Sequence, residues 1–104
     1  SFQSQITFIL ILFLYSKIIK MENYLKDIEK KLKEKINFEK IEIIDNSYKH
    51  KGHKFFSKEK YHLHLKIESL YLKSISRISA QKLIMNILKK DLEKKIHALE
   101  ITIY

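Results

Sequence analysis

The chain has 104 residues, enough for one domain with a modest hydrophobic core. It carries 21 basic against 12 acidic residues, a formal net charge of +9, which favours an acidic partner such as nucleic acid, anionic lipid or an acidic protein face. The absence of cysteine excludes disulfides and thiolate chemistry within the chain, and a single glycine, Gly52, excludes the glycine-rich phosphate loops.

Residues 1–20 form an apolar extension that differs in composition from the rest of the chain. Its apolar run, from Ile6 to Tyr15, is too short to span a bilayer, so we expect no stable membrane span. It is similar to the core of a signal sequence, but no basic residues precede it and no small-residue cleavage site follows. A targeting segment, a weak membrane anchor and translated sequence outside the fold stay open as alternatives. We expect these residues to be disordered or loosely packed, and the domain to occupy residues 21–104.

The first half of the domain is predicted to contain one helix, one strand and a long loop. Residues 22–36 place apolar side chains on one stripe and lysines and glutamates opposite, which is typical of an amphipathic helix. Residues 40–45 are a short β-rich run. The only glycine and several turn-forming residues follow, so residues 46–60 are predicted to be a loop.

The second half is predicted to contain a strand, a helix and a closing strand. Residues 61–69 alternate strictly between apolar and polar side chains, as a strand with one buried face does. After a serine-rich connection, residues 80–92 predict a helix that either Ser76 or Ser79 caps. A strand begins near Ile96. The α-β-β-α-β order predicts an α+β domain in which both helices pack on one face of a three-stranded sheet.

A single histidine stands out in the closing strand. By two-residue alternation His97 shares a face with Leu99, Ile101 and Ile103, which are predicted to be in the core. Two interpretations follow from this position. His97 is either a buried histidine with a hydrogen-bond partner or a ligand at the open end of the strand.

Four further histidines occur as two pairs. His50 and His53 lie in the predicted loop, and His62 and His64 lie on the polar face of the central strand. Either spacing could hold a metal; the strand pair favours a solvated face, whereas the loop pair stays open. Neutral imidazole suits iron, zinc and copper, so the residue type does not name the metal. No paired carboxylates or activated nucleophile stand out, and we expect no enzymatic activity.

Three stretches of the sequence together resemble one protein family. "IHALEITIY" is similar to the C-terminal VHAL signature of BolA-like proteins, "IEIIDNSYKHKGH" to their LEVVDESYxH segment, and "YHLHLKIES" to their (S/T)HFxVxxVS strand. Their order and spacing match, and the resemblance covers about residues 22–104. It implies an α+β fold related to the class II KH domain, known as the BolA fold.

The resemblance also implies a partner and a cofactor. BolA-like proteins pair with a monothiol glutaredoxin, and the heterodimer can hold a bridging [2Fe–2S] cluster. Glutaredoxin and glutathione supply thiolates, whereas this chain would supply histidine; we expect the isolated chain to be a monomer without a tightly bound cluster. His97 matches the C-terminal ligand of the family and His50 its loop ligand, with His53 as a competitor. His62 matches a histidine that we interpret as a structural or supporting neighbour of the ligands.

One segment departs from the family pattern. The usual FxGKSxxxRHR stretch is replaced by "LKSISRISAQK", in which Ser74 stands in place of the glycine. Residues 80–82 replace RHR, and only Lys82 keeps a charge. This segment is thought to contact partners or nucleic acid, and Lys73 and Arg77 are candidates to compensate for the lost charge.

Three functions remain in competition. The resemblance favours an iron–sulfur adaptor that works inside the cell, in the cytosol or in an organelle such as the mitochondrion. The KH-like fold and the net charge favour a nucleic-acid-binding or transcription-regulatory module, although one glycine cannot form the GxxG loop with which KH domains clamp the backbone. The histidine pairs alone would fit a mononuclear metal protein.

Overall fold

The computed structural model describes residues 2–46 and 60–104, which form helices around a three-stranded sheet. The helices are α1 Phe2–Lys35, α2 Leu70–Ser74, α3 Arg77–Ile87 and α4 Lys89–Lys94. The strands are β1 Lys40–Asp45, β2 Tyr61–Glu68 and β3 Ile96–Ile103. All three strands confirm the predicted positions, and the α+β class is confirmed with them.

Helix α1 is longer than the sequence pattern predicted. It begins at Phe2 instead of residue 22, so residues 2–20, which we expected to be disordered or loosely packed, are helical, and the side chains of residues 5–20 are exposed. Neither glycine nor proline occurs before Gly52, and therefore no residue interrupts the helix between its apolar and amphipathic parts. Among the described residues, no helix combines the length and the hydropathy needed to cross a membrane. The division of the chain at residue 21 stays a prediction.

The helix predicted over residues 80–92 is two helices. Helix α3 starts earlier, at Arg77, because Ser76 is its N-cap: the Ser76 Oγ accepts a hydrogen bond from the Ser79 backbone N–H at 3.1 Å. Helix α3 ends at Ile87, and its C-cap, Leu88, has a ψ of 18°, which lies outside the α-helical region. Helix α4 then covers the rest of the predicted helix and two further residues, Glu93 and Lys94.

A further short helix, α2, lies in the predicted serine-rich connection. Its N-cap, Ser69, is fully buried. The Ser69 Oγ accepts from the Leu72 backbone N–H at 3.0 Å and donates to the Asn37 carbonyl oxygen at 2.7 Å. Ser69, which we placed at the end of the predicted strand, is therefore the N-cap of α2, and Ser76, one of the two predicted caps, is the N-cap of α3.

The sheet has β2 at its centre, antiparallel to β1 and parallel to β3. Ile43 pairs with Leu65, and Leu65 pairs on its other side with Ile101, so the apolar residues of the three strands share one face. Side chains of α1, α2 and α3 pack against this face and form one hydrophobic core. The buried apolar residues of the described chain are Tyr24, Ile28, Leu32, Ile36, Leu63, Leu65, Ile67, Leu72, Ala80, Ile84, Leu88 and Ile96.

Candidate metal-ligand site

His97 lies at a bulge in the pairing of β2 with β3. Tyr61 pairs with Ile96, but the next residue, His62, pairs with Ala98, so His97 is an extra residue on β3. In a regular strand, residues 96 and 99 would face opposite sides of the sheet. The extra residue allows Ile96 and Leu99 both to pack in the core. Because of the bulge, His97 does not follow the alternation of β3 side chains between the two faces of the sheet.

The interpretation of His97 as a buried core histidine is wrong. Its side chain is exposed, whereas Leu99 and Ile101, with which we expected it to share a face, pack against the core. The His97 ring instead lies beside the His62 ring, with centroids 4.9 Å apart and an interplanar angle of 36°. The structure thus brings together two of the predicted site residues in one surface patch, which we call the histidine pair.

His64 is less exposed, and makes more side-chain contacts, than the prediction of a solvated face implies. Its Nε2 lies 2.8 Å from the Thr102 Oγ1, and its Nδ1 lies 3.8 Å from the Glu100 Oε1. Only 18% of its side chain is exposed. The His64 imidazole is therefore engaged by β3, which distinguishes it from the exposed imidazole of His97.

The segment between β1 and β2 begins and ends next to the histidine pair. The Asn46 backbone N–H donates to the His62 carbonyl oxygen at 2.6 Å, and the Tyr61 N–H donates to the Lys95 carbonyl oxygen at 2.8 Å. The first hydrogen bond fixes Asn46, after β1, beside His62. The second fixes Tyr61, at the start of β2, beside the residue that precedes β3. His50 and His53 belong to this segment and lie outside the described residues.

A buried carboxylate that sequence reasoning missed ties α1 to α4. Asp91 is buried and accepts a hydrogen bond from the Tyr24 hydroxyl at 2.7 Å and one from the Lys31 Nζ at 2.7 Å. Burial raises the pKa of Tyr24 well above its usual value, and the hydrogen bond to the Asp91 carboxylate and its negative charge raise it further. Tyr24 was detectable in the sequence, because it lies four residues before Ile28 on the buried stripe; Asp91, among lysines, gave no such signal.

The same cluster supports the chain segments that carry the histidine pair. The Tyr24 ring stacks on the Tyr61 ring at the start of β2, with centroids 4.9 Å apart and planes 15° from parallel. The Asp91 carbonyl oxygen accepts from the Lys95 backbone N–H at 2.7 Å, just before β3. Helix α1 thereby positions the first residue of β2 and the residues that lead into the bulge.

The predicted partner-contact residues lie on the short helices. Lys73 on α2 and Arg77 and Lys82 on α3 are all exposed, and neither helix contains an acidic residue. Across residues 2–46 and 60–104, no three histidine or carboxylate side chains are grouped in a way that could hold a metal ion. The described residues thus offer the histidine pair and a separate cationic surface.

Comparisons with known proteins agree with the family resemblance. Residues 32–104 match the sequence profile of the family described as BolA-like protein. A curated relative, the "Uncharacterized protein in cobS 5'region" of Sinorhizobium sp., is 34% identical over 76 residues, which cover 71% of this chain and 82% of the relative.

Solved structures agree with the fold. The BolA domain of SufE1 from Arabidopsis thaliana matches with a TM-score of 0.63 and 31% identity, over 75% of this chain and 86% of that domain. BolA1 from Arabidopsis thaliana matches with the same TM-score and coverage at 23% identity, a likeness of fold. The family profile spans β1 through β3, including the bulge that carries His97. The chain therefore belongs to the BolA-like family.

Proposed function

We propose that this protein is a non-enzymatic adaptor in iron–sulfur trafficking or iron regulation that pairs with a monothiol glutaredoxin. In the heterodimer, this chain would give histidine ligands to a bridging [2Fe–2S] cluster, and the glutaredoxin and glutathione would give thiolates. The observation that carries the proposal is the exposed His97 at the bulge, beside His62. This role belongs in a reducing compartment inside the cell, the cytosol or an organelle such as the mitochondrion.

The described residues can supply the nitrogen ligand that such a site needs from this chain. Neutral imidazole binds iron through nitrogen, and the exposed ring of His97 is accessible to a partner. The proposal assigns the thiolates to the partner, since this chain has no cysteine. A cluster with two nitrogen ligands on one iron has a higher reduction potential than one with four thiolates.

Chain length supports a second ligand from the segment after β1. His50 is four residues and His53 seven residues beyond Asn46, whose N–H is bonded to the His62 carbonyl oxygen. An extended chain spans at most ~3.5 Å per residue, so these histidines can lie no more than about 14 Å and 25 Å from that anchor. We propose His50 as the ligand, with His53 as its competitor and His62 as the supporting neighbour of His97.

The test is anaerobic reconstitution with a monothiol glutaredoxin, glutathione, iron and sulfide, followed by visible absorption and circular dichroism. We expect a heterodimer whose spectrum differs from that of the glutaredoxin homodimer and changes in His97→Ala. The matched control is His64→Ala, which removes an imidazole from the same sheet and should leave the spectrum unchanged. His50→Ala and His53→Ala, compared in parallel, identify the loop ligand. Failure of the two proteins to associate with or without cluster would refute the proposal.

Deletion of Ala98 tests the bulge itself. Without this residue, consecutive residues 96, 97 and 99 would pair with Tyr61, His62 and Leu63, which restores a regular ladder and keeps Ile96 and Leu99 in the core. We expect the variant to fold and to lose the cluster spectrum of the heterodimer, because His97 would move from the extra position at the bulge to a regular position paired with His62, and its imidazole would change direction. A folded variant with an unchanged cluster spectrum would show that the bulge does not present the ligand.

One observation favours nucleic-acid binding as the second candidate function. The exposed cations Lys73, Arg77 and Lys82 lie on two helices that contain no acidic residue. If they bind a phosphate backbone, affinity for duplex DNA or RNA should fall steeply with salt, and each charge-removing substitution should lower the slope by about one. If the affinity changes little when these residues are substituted, binding would result from the general positive charge of the chain and not from this surface.

A further inference from the structure

We infer that the N-terminal part of α1 enters one leaflet of an anionic lipid bilayer and anchors the domain at a membrane surface without crossing it. We call residues 5–20 the apolar helix segment. Every side chain from Phe8 to Tyr15 is exposed, with fractions between 50% and 62%. Contiguous apolar exposure of this size marks a binding surface.

The apolar helix segment is exposed on all of its sides. Consecutive residues of an α-helix are about 100° apart, so eight successive apolar residues cover more than two full turns. A second copy of the chain, paired as in a coiled coil, would cover one stripe and leave the other sides in water. Hydrocarbon surrounds a helix completely, and a helix that is apolar all round is typical of such an environment.

The residues at the C-terminal end of the apolar helix segment are of the types found at the headgroup level of a leaflet. The apolar run ends at Tyr15, and the first charged residues are Lys17 and Lys20; no acidic residue occurs before Glu22. Tyrosine prefers the level of the headgroups, and lysine extends its ammonium towards them. The Lys17 Nζ lies 5.4 Å from the Phe13 ring centroid, so its stem already runs along the apolar surface. These cations complement anionic headgroups.

The apolar part of the helix is too short to cross the hydrocarbon layer of a bilayer. Residues 6–16 span about 16 Å at 1.5 Å per residue, roughly half of a ~30 Å hydrocarbon layer. Gln5 at one end and Lys17 at the other are polar, so both ends are expected to stay at the headgroups. The helix is therefore expected to lie within one leaflet, roughly parallel to the membrane surface. This inference does not depend on the proposed cluster function.

Vesicle binding by the full chain tests the inference. Flotation is measured with vesicles of phosphatidylcholine alone and of phosphatidylcholine mixed with phosphatidylglycerol. We expect binding that is stronger to the anionic vesicles and at least about tenfold weaker for Phe13→Asp, since a carboxylate is costly in hydrocarbon. The matched control is Ile78→Asp, which places the same charge at an apolar residue on α3 that is 67% exposed, and should bind as the unaltered chain does.

A second set of variants separates insertion from general charge attraction. Changing Lys17 and Lys20 together to glutamine should reduce the preference for anionic vesicles and keep the binding to neutral ones. Because the chain has no tryptophan, Phe8→Trp supplies a single indole, which can be excited apart from the tyrosines and should be quenched by lipids with brominated acyl chains. An unquenched Phe8→Trp, or equal binding by Phe13→Asp, would overturn the inference. A chain that binds no vesicles but forms oligomers that Phe13→Asp dissociates would assign the segment to a second copy.

Discussion

The hydrogen bond from Tyr24 to Asp91 makes Tyr24→Phe a quantitative test of how α1 is held on the domain. Both side chains are buried, and the hydroxyl oxygen lies 2.7 Å from the Asp91 Oδ1. The substitution removes this oxygen and keeps the ring that stacks on Tyr61. A hydrogen bond to a charged group is worth about 1.5–3 kcal/mol. Lys31 still contacts the other carboxylate oxygen, so we expect the free energy of unfolding to fall by about 2 kcal/mol.

The pH dependence of that difference follows from the raised pKa of Tyr24. In the unfolded chain this group loses its proton near pH 10, whereas the folded protein retains it to higher pH. The unfolded state then binds fewer protons, so the stability contributed by Tyr24 is present below pH 10 and is lost as the pH rises above it. The slope is about 1.4 kcal/mol per pH unit. We expect the difference between the unaltered protein and Tyr24→Phe to disappear between about pH 11 and pH 12.

Urea denaturation followed by far-ultraviolet circular dichroism measures both effects. The matched control is Tyr71→Phe, because Tyr71 is 47% exposed and its substitution should change the free energy of unfolding by less than about 0.5 kcal/mol. Comparing each variant with the unaltered protein at the same pH cancels the titration of tyrosines and lysines that contact neither Tyr24 nor Asp91. A cost below about 0.5 kcal/mol for Tyr24→Phe, or a difference that stays constant up to pH 12, would refute the reasoning.

Four further substitutions test the core and the helix caps by the same denaturation assay. Leu65→Ala, in the fully buried centre of β2, should cost about 2–5 kcal/mol, and Ile78→Ala on an exposed face less than about 1 kcal/mol. Ser76→Ala removes the exposed N-cap of α3 and should cost about 1 kcal/mol. Ser69→Ala should cost more, about 2 kcal/mol, because it leaves the buried Leu72 N–H without its acceptor; equal costs for the two serines would contradict this reasoning.

The strands could be predicted because the alternation of apolar and polar residues in a strand indicates which side chains are buried. Residues 61–67 alternate, and the structure buries Leu63, Leu65 and Ile67. The helices were less predictable, because apolar periodicity reports which face is buried and not where a helix begins or ends. Helix α1 continues through an apolar segment that has no periodic face, and α3 ends at Ile87 inside a continuous apolar pattern. Asp91 was not predictable, since its partners Tyr24 and Lys31 are more than fifty residues away in the chain.

The exposure of His97 follows from the spacing of the apolar residues around it. Ile96 and Leu99 are three residues apart, so a regular strand can bury only one of them on the face that also buries Ile101. The regular solution would expose Ile96, which forgoes about 1.5–3 kcal/mol of burial, and would place an imidazole in the core. The bulge avoids both costs by leaving one residue unpaired. Core packing alone therefore accounts for a histidine held at the surface of β3, which is the placement that the proposed cluster site requires.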